Sequence, residues 1–358
     1  MIQFFSRKVG RSDRPVVALL LALGLALVCW GGAPAPARVE AAAGLQDLLA
    51  ACPLPGWHPD YGVKEGNVFL HDGLYYYVST YLAQGSSEDP NYEKWFAYAS
   101  SPNLCSWTDL GLILPVSAPD RPDEWDNWRI WTPHVYQEDG TYYMYYTGVR
   151  EETEAPVMGM VQSIMLATST DPADPASWQR QGMIFQPSHP GSYYPGCTYW
   201  CDCRDPHVFK EDGAYYMYYS GGDDVGGIVG LATAASPYGP WIDLGAMTTS
   251  EISMPENAAL VERNGLYYLF YNDSHPPGLG EVYRIGGSSA GPWSQPSLFS
   301  PGWAHEFFVG YDGQQYVAYV TSYELEIRRL SWIDLVFPPQ PWIPGVQAYT
   351  LWLPVVGR

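Results

Sequence analysis

Along Arg204 to Tyr219, large apolar residues alternate with polar ones until Asp212-Gly213, and a tyrosine-rich run follows. A period of two broken by an Asp-Gly pair predicts two antiparallel strands joined by a tight turn. The pattern recurs. Glu65 to Tyr77 turns at Asp72-Gly73, Thr132 to Tyr146 at Asp139-Gly140, Asn257 to Tyr271 at Asn264-Gly265, and His305 to Tyr319 at Asp312-Gly313. Successive turns lie 67, 73, 52 and 48 residues apart, which suits one four-stranded blade per repeat. Beyond the hairpins, Trp95 to Ser101 leads to Trp107, Ile164 to Ser169 to Trp178, and Ile228 to Thr233 to Trp241, while the fourth copy ends at Trp293. These segments predict a third strand and a Trp-bearing outer strand. The expected fold is all-β, a five-bladed β-propeller.

Outside the repeats the pattern changes. Arg7, Lys8, Arg11 and Arg14 precede the apolar run Val16 to Trp30, and Ala35-Pro36-Ala37 or Ala41-Ala42-Ala43 offers a cleavage site. Residues 1–43 are therefore expected to be a secretory signal peptide, the run being shorter than the ~20 residues of a spanning helix. Cys29 suggests a lipoprotein less well, because Val28 is larger than lipoprotein processing prefers. Residues 44–342 are expected to form the propeller and 343–358 a tail that closes the ring or acts as a sorting or anchoring segment. Five cysteines follow the signal: Cys52, Cys105, Cys197, Cys201 and Cys203. In an oxidising compartment they predict two disulfides and one thiol, with Cys52 to Cys105 and one bridge inside the 197–203 loop as the pairing considered. A metal site in that loop is disfavoured, because no nearby pair of histidines completes a zinc pattern.

Charge narrows the partners. The chain carries 38 acidic and 18 basic residues, a formal charge of −20, and removing the signal makes it more acidic. Nucleic acid and anionic lipid are poor partners for such a surface. A neutral glycan is accepted more easily, and 15% aromatic residues suit a protein that stacks sugars on Trp and Tyr, although the Tyr pairs read as blade cores. The expected protein is a secreted or cell-surface monomer with no membrane span once the signal is removed.

Chemistry enters at the start of each inner strand, where the blades converge on the central channel. Seven residues before each turn stand Glu65, Thr132, Asp205, Asn257 and His305, and two positions later come Asn67, His134, His207, Ala259 and Phe307. Glu256 sits one place before Asn257. Carboxylates and histidines gathered at one channel mouth are costly unless paired or used.

These motifs resemble a family. Trp131-Thr132-Pro133-His134-Val135 is similar to the Trp-Ala-Pro-Asp-Val of the second blade in family 43 glycoside hydrolases, the arabinanases, arabinofuranosidases and β-xylosidases. Arg204-Asp205-Pro206 is similar to their third-repeat Asp-Pro and to the Arg-Asp-Pro of the related fructan and sucrose hydrolases. Glu256, with Gly265 and Tyr267-Tyr268-Leu269-Phe270 after it, resembles the repeat that holds the general acid, and Ala304-His305 the Gly-His of the fifth blade. The resemblance spans roughly residues 52–325. It implies that Glu256 protonates the leaving oxygen, and that Asp205 raises the pKa of Glu256 and helps hold the sugar. A third carboxylate activates water, and inversion asks for ~6.5–9.5 Å between the two reacting carboxyls.

For that third group Glu65 stands at the aligned position, followed by Gly66, whereas Trp57-His58-Pro59-Asp60 resembles the His-Pro-Asp that carries the family's base. Asp60 is ranked slightly above Glu65. His134 replaces the family's second-blade Asp, and Asn257-Ala258 replaces Gly-Pro after the acid. Substrate contacts are expected from Trp131, His134, Arg204, His207, Asn67 and His305, with a structural hydrogen-bonding role weighed equally for the histidines. Trp131, Trp128 and Trp57 are candidates for a stacking wall. The resemblance requires no cofactor, but in some relatives the fifth-blade His helps hold a central metal ion, commonly calcium, through water, a place for His305. Three readings follow: an inverting glycosidase on arabinose- or xylose-containing glycans, a glycan-binding propeller with impaired catalysis, and a mannoside-phosphorylase-like enzyme. The last needs a basic phosphate pocket, and apart from Arg204 the repeat mouths are poor in Arg and Lys.

Overall fold

In the computed structural model the described residues are 55–83, 89–117, 124–152, 159–192, 200–250, 255–273, 280–300, 304–321, 324–330 and 332. The expected signal segment, the tail 343–358, and Cys52 and Cys197 lie outside them. No described helix is long and apolar enough to cross a membrane. Apart from one 3-10 turn at Pro175–Ser177, the described elements are strands.

The strands form five sheets. After β1 (Gly56–Trp57), blade 1 consists of β2 (Gly62–His71), β3 (Leu74–Leu82), β4 (Phe96–Ser101) and β5 (Thr108–Ile113). Blade 2 consists of β6 (Arg129–Glu138), β7 (Thr141–Glu152), β8 (Gly159–Ser169) and β9 (Gln179–Phe185), and β10 (Trp200–Cys201) pairs in parallel with β8. Blade 3 is β11 (Cys203–Glu211), β12 (Ala214–Gly222), β13 (Gly227–Ala234) and β14 (Ile242–Ser250). Blade 4 is β15 (Glu256–Arg263), β16 (Leu266–Asp273), β17 (Gly280–Gly286) and β18 (Ser297–Ser300). Blade 5 is β19 (Ala304–Val309), β20 (Gln315–Thr321) and β21 (Glu324–Arg329). The innermost strands β2, β6, β11, β15 and β19 contact one another in a closed circle.

Four of the five predicted turns have the geometry their sequences ask for. Asp72, Asp139, Asp212 and Asn264 have φ of 46°, 49°, 49° and 55°, and each following glycine is also at positive φ. Two successive positive φ values define the type I′ turn that matches strand twist. The fifth turn is wider, with Val309 paired to Gln315 across Asp312-Gly313. The four Trp residues lie beside the outer strands rather than within them: Trp107, Trp178 and Trp241 directly precede β5, β9 and β14, and Trp293 forms an isolated bridge.

The fifth blade completes its sheet from the other end of the fold. β1 pairs antiparallel with β21, placing Trp57 opposite Leu325 and Gly56 opposite Glu326. Gly56 lies so close to β21 that a Cβ there would stand 2.1 Å from the Leu325 carbonyl oxygen. The outer edge of the fifth sheet is therefore supplied by the segment before blade 1.

Tyrosine alternation has a direct structural result. The core divides into five apolar clusters, each joining two neighbouring blades. Buried hydroxyls find partners across the seams: Tyr145 donates to the Pro237 carbonyl at 2.8 Å, and Tyr218 donates to that of Ser289. Cys203 is a free thiol buried in the seam between blades 2 and 3, and burial pushes its pKa well up.

Candidate active site

The first residues of the inner strands line one cavity. Its wall comprises Lys64 and Glu65 from blade 1, Trp131 and Thr132 from blade 2, Arg204 and Asp205 from blade 3, and Glu256 from blade 4. Tyr92, Glu93, Arg129 and Met160 complete it, and the volume is about 290 Å³. Thus the positions seven and eight residues before each turn do converge. Asp60 does not join them. It is exposed beside β1 at the outer edge of blade 5, so the preference for Asp60 over Glu65 is reversed: the carboxyl that shares a cavity with Asp205 and Glu256 is Glu65.

A backbone irregularity aims these groups. Each inner strand slips register against its neighbour just before the mouth residue or at it. In blades 2, 3 and 4 the mouth residue adopts positive φ: Thr132 at 40°, Asp205 at 56° and Asn257 at 54°. A β-branched residue such as Thr is strained there, whereas Asp and Asn tolerate it. The turned-out N–H groups are satisfied across the blade seam, Thr132 by Thr80 Oγ1 at 3.0 Å and Asp205 by Thr147 Oγ1 at 3.1 Å. Neither Lys64 nor Glu65 has positive φ. In blade 1 the slip falls between Val63 and Gly66, one place earlier relative to its turn.

Asp205 is fixed on several sides. Its Oδ2 accepts from Ser220 Oγ at 2.8 Å and from the Asn257 N–H at 3.3 Å, and Arg204 Nε lies 3.6 Å away. Arg204 itself spans the site: Nε and Nη2 donate to Glu256 Oε1 at 3.0 and 2.8 Å, and Nη1 donates to Asp202 and to Gln162. The arrangement expected from sequence, Asp205 as a like charge near Glu256, has the Arg204 guanidinium in contact with both carboxylates. Burial works to lower the Arg204 pKa, but Glu256, Asp202 and Asp205 together push it up.

Glu65 has the opposite environment. Its Oε2 is buried with no hydrogen-bond partner. Burial, reinforced by the charges of Asp205, Glu256 and Glu93 and opposed by Lys64, raises its pKa to about 7. Because the folded chain then holds this proton more tightly than an ordinary carboxyl, stability falls as pH rises from 4.5 toward 7, and the full penalty is present above that. Glu65→Gln removes the ionisation. It should stabilise the fold at pH 8 relative to pH 4 by on the order of 1–3 kcal/mol, seen as a pH-dependent difference in melting temperature from the wild type; parallel melting profiles would refute the raised pKa.

Several expected sugar contacts lie elsewhere. Asn67, His134 and His207 are buried and do not line the cavity. They belong to an inward layer joined by Glu306, which the repeat alignment missed although it directly follows His305. Asn67 Nδ2 donates to Glu306 Oε2, and His134 Nδ1 lies 3.3 Å from the same oxygen. The His134 and His207 rings sit 4.5 Å apart, and burial holds the His207 pKa well below its usual value. The side chain of His305 lies outside the described residues. Trp57 is core, packed edge-on against Tyr61 and Tyr77, and Trp128 carries Arg129 over its face without lining the cavity. Of the stacking candidates only Trp131 reaches the site.

Ligand atoms of His134, His207 and Glu306 lie within 4.8 Å of one another. Calcium takes six to eight oxygens. This set offers one carboxylate and two imidazoles, with His134 Nε2 3.1 Å from the Val208 carbonyl and His207 Nε2 accepting the Leu260 N–H at 3.2 Å. As direct ligands these three supply too few oxygens for calcium.

Glu93 is a site residue that the repeat pattern did not reveal, since it lies between strands of blade 1. It is buried at φ 57°, and its Oε2 accepts from Arg129 Nη1 and, at 2.8 Å, from Trp131 Nε1. Lys64 and Arg129 also add basic groups to a mouth that the sequence reading credited only with Arg204. Each is matched by acid: Lys64 Nζ lies 3.4 Å from Glu65 and 3.6 Å from Glu93, so no open phosphate pocket results.

Comparison with known proteins adds what geometry alone does not. Residues 65–236 match the glycosyl hydrolases family 32 N-terminal domain. A probable arabinan endo-1,5-alpha-L-arabinosidase C of Aspergillus flavus is 27% identical over 260 residues, covering 66% of this chain and 73% of that protein. The arabinan endo-1,5-alpha-L-arabinosidase A of Aspergillus niger is 25% identical over 227 residues, 60% of each chain. The chain is thus similar to glycoside hydrolases of families 32 and 43, which supports hydrolysis of O-glycosyl bonds. Solved structures share this fold. A thermostable family 43 glycoside hydrolase superimposes with a TM-score of 0.56 at 18% identity, over 80% of this chain and 97% of that one. A family 32 β-fructofuranosidase of Bombyx mori gives 0.59 at 17%, over 83% and 68%.

Proposed function

We propose that this hydrolase is secreted and cleaves arabinose- or xylose-containing glycans by inversion. Glu256 acts as general acid, Glu65 as the base that activates water, and Asp205 as the fixed carboxylate that orients the sugar. The observation that carries this reading is the meeting of three carboxyls, remote in sequence, on one cavity. The arabinan-cleaving activity named for the Aspergillus relatives supports arabinose as the sugar. Trp131 supplies an apolar face at the cavity edge, with its indole N–H held by Glu93. Arg204 occupies Glu256 Oε1 and leaves Oε2 for the transferred proton. One guanidinium faces three carboxylates there, Asp202, Asp205 and Glu256. The basic, then apolar start of the chain supports export.

Linear 1,5-linked arabinan and arabinoxylan, digested separately and followed by proton NMR, test the proposal. The expected result is cleavage of at least one, with the first-formed reducing end in the inverted anomer. A first product in the retained anomer would overturn inversion. Binding without turnover of either glycan would overturn the catalytic reading in favour of the lectin-like one.

A further inference from the structure

We propose that Lys64 is the positioning residue that holds Glu65 as a carboxylate across the cavity from Glu256. The inference rests on Glu65 being the base. In blades 2, 3 and 4 the residue eight places before the turn is Trp131, Arg204 or Glu256, each a cavity residue. Lys64 occupies the same place in blade 1. As in blades 2 and 3, this residue and the next, here Lys64 and Glu65, both lie in the cavity wall.

A buried carboxyl oxygen without a hydrogen bond favours its neutral form, and a neutral carboxylic acid cannot accept a proton from water. The charged groups that face Glu65 are Lys64 on its own strand, Glu93 from the segment between β3 and β4, Asp205 on β11 and Glu256 on β15. The Tyr77 hydroxyl on β3 also senses it. Of these four groups Lys64 alone is basic and favours ionisation; Arg129 and Arg204 also line the cavity, but their guanidinium groups bond Glu93 and Glu256 respectively.

Lys64 is itself held in place. Its ammonium sits between Glu65 Oε2 and Glu93 Oε1 at 3.4 and 3.6 Å, with the Trp131 ring centroid 5.5 Å away. Burial acts to lower its pKa, but Glu65, Glu93, Glu256 and Asp205 outweigh this and push it up. The lysine therefore stays charged throughout the range in which Glu65 titrates.

Two measurements test the assignment. The first needs no substrate: melting temperature is followed from pH 4 to 9 for Lys64→Met and Lys64→Arg, each with and without Glu65→Gln. The difference between each pair reports where Glu65 ionises in the folded chain. Lys64→Met should move that pH upward by about one unit or more, while Lys64→Arg should leave it near the wild-type position. An unmoved transition in Lys64→Met overturns the proposal. The second is the pH dependence of kcat/KM on linear arabinan. Its acidic limb should shift upward with the ionisation in Lys64→Met, with roughly tenfold loss at pH 6, recovery at pH 9, and rescue by Lys64→Arg. Loss of the same size at every pH would mark Lys64 as a merely structural residue. If Glu65→Gln leaves turnover intact, the base assignment falls, while the melting profiles still decide whether Lys64 controls Glu65.

Discussion

Glu256→Gln should lower turnover of an unactivated glycan by roughly 10²–10⁴-fold, the usual contribution of a positioned general acid. The loss should depend on the leaving group. An alkoxide of a sugar departs poorly unless protonated, so it needs the proton that Glu256 supplies; a nitrophenolate departs without one. With an aryl arabinofuranoside that the enzyme accepts, the defect should shrink by at least tenfold if Glu256 is the acid. Glu65→Gln gives the contrasting signature, because water must be activated whichever group departs, and its loss should be similar with both substrates. Equal defects of Glu256→Gln on polymer and aryl glycoside would remove the acid assignment. The Arg204 bonds to Glu256 Oε1 predict that Gln still docks in place through its own carbonyl oxygen, so substrate binding should survive in this variant. That separates lost chemistry from a collapsed site.

The second large effect concerns closure of the ring. Trp57→Ala should destabilise the fold by about 3–5 kcal/mol, the range for truncating a large buried aromatic, and the change is measurable by urea unfolding. Trp57 is 5% exposed. Its ring meets Tyr61 and Tyr77 edge-on at 5.8 and 6.0 Å, and its backbone completes the fifth sheet opposite Leu325. The same short segment is bonded to both neighbours: Gly56 donates to the Leu104 carbonyl of blade 1 at 3.1 Å, and Ile327 of blade 5 donates to the Pro55 carbonyl at 2.8 Å. Removing the indole therefore weakens the joint between the first and last blades. Trp57→Phe should retain most of that stability, and an unchanged midpoint in Trp57→Ala would show that the joint does not depend on the indole.

The hairpins were legible because Asp-Gly and Asn-Gly pairs encode their turn geometry locally, and apolar alternation fixes which face packs. From that register the positions of Glu65, Asp205 and Glu256 follow, as they count back from each turn. What escaped the sequence reading was set by contacts between distant segments. Asp60 carries a persuasive local motif, but strand pairing takes the adjacent Trp57 to the outer edge of blade 5. Glu93 reaches the cavity through an irregular backbone between strands, where no period exists to count. Glu306 was hidden because β19 lacks the two-residue bulge of blades 2, 3 and 4 and its turn is wider, so equal distance from the turn no longer means an equal direction of the side chain.

The strained backbone at the channel mouth also divides the labour of adaptation between neighbouring positions. Where Thr132, Asp205 and Asn257 lie at positive φ, few side chains are tolerated, so these places are poor ground for altering specificity. The preceding residues have ordinary backbone and already hold an indole, a guanidinium and a carboxylate at Trp131, Arg204 and Glu256. Efforts to redirect the enzyme toward another sugar are therefore best made at Trp131, where the chain imposes the least conformational veto on the replacement.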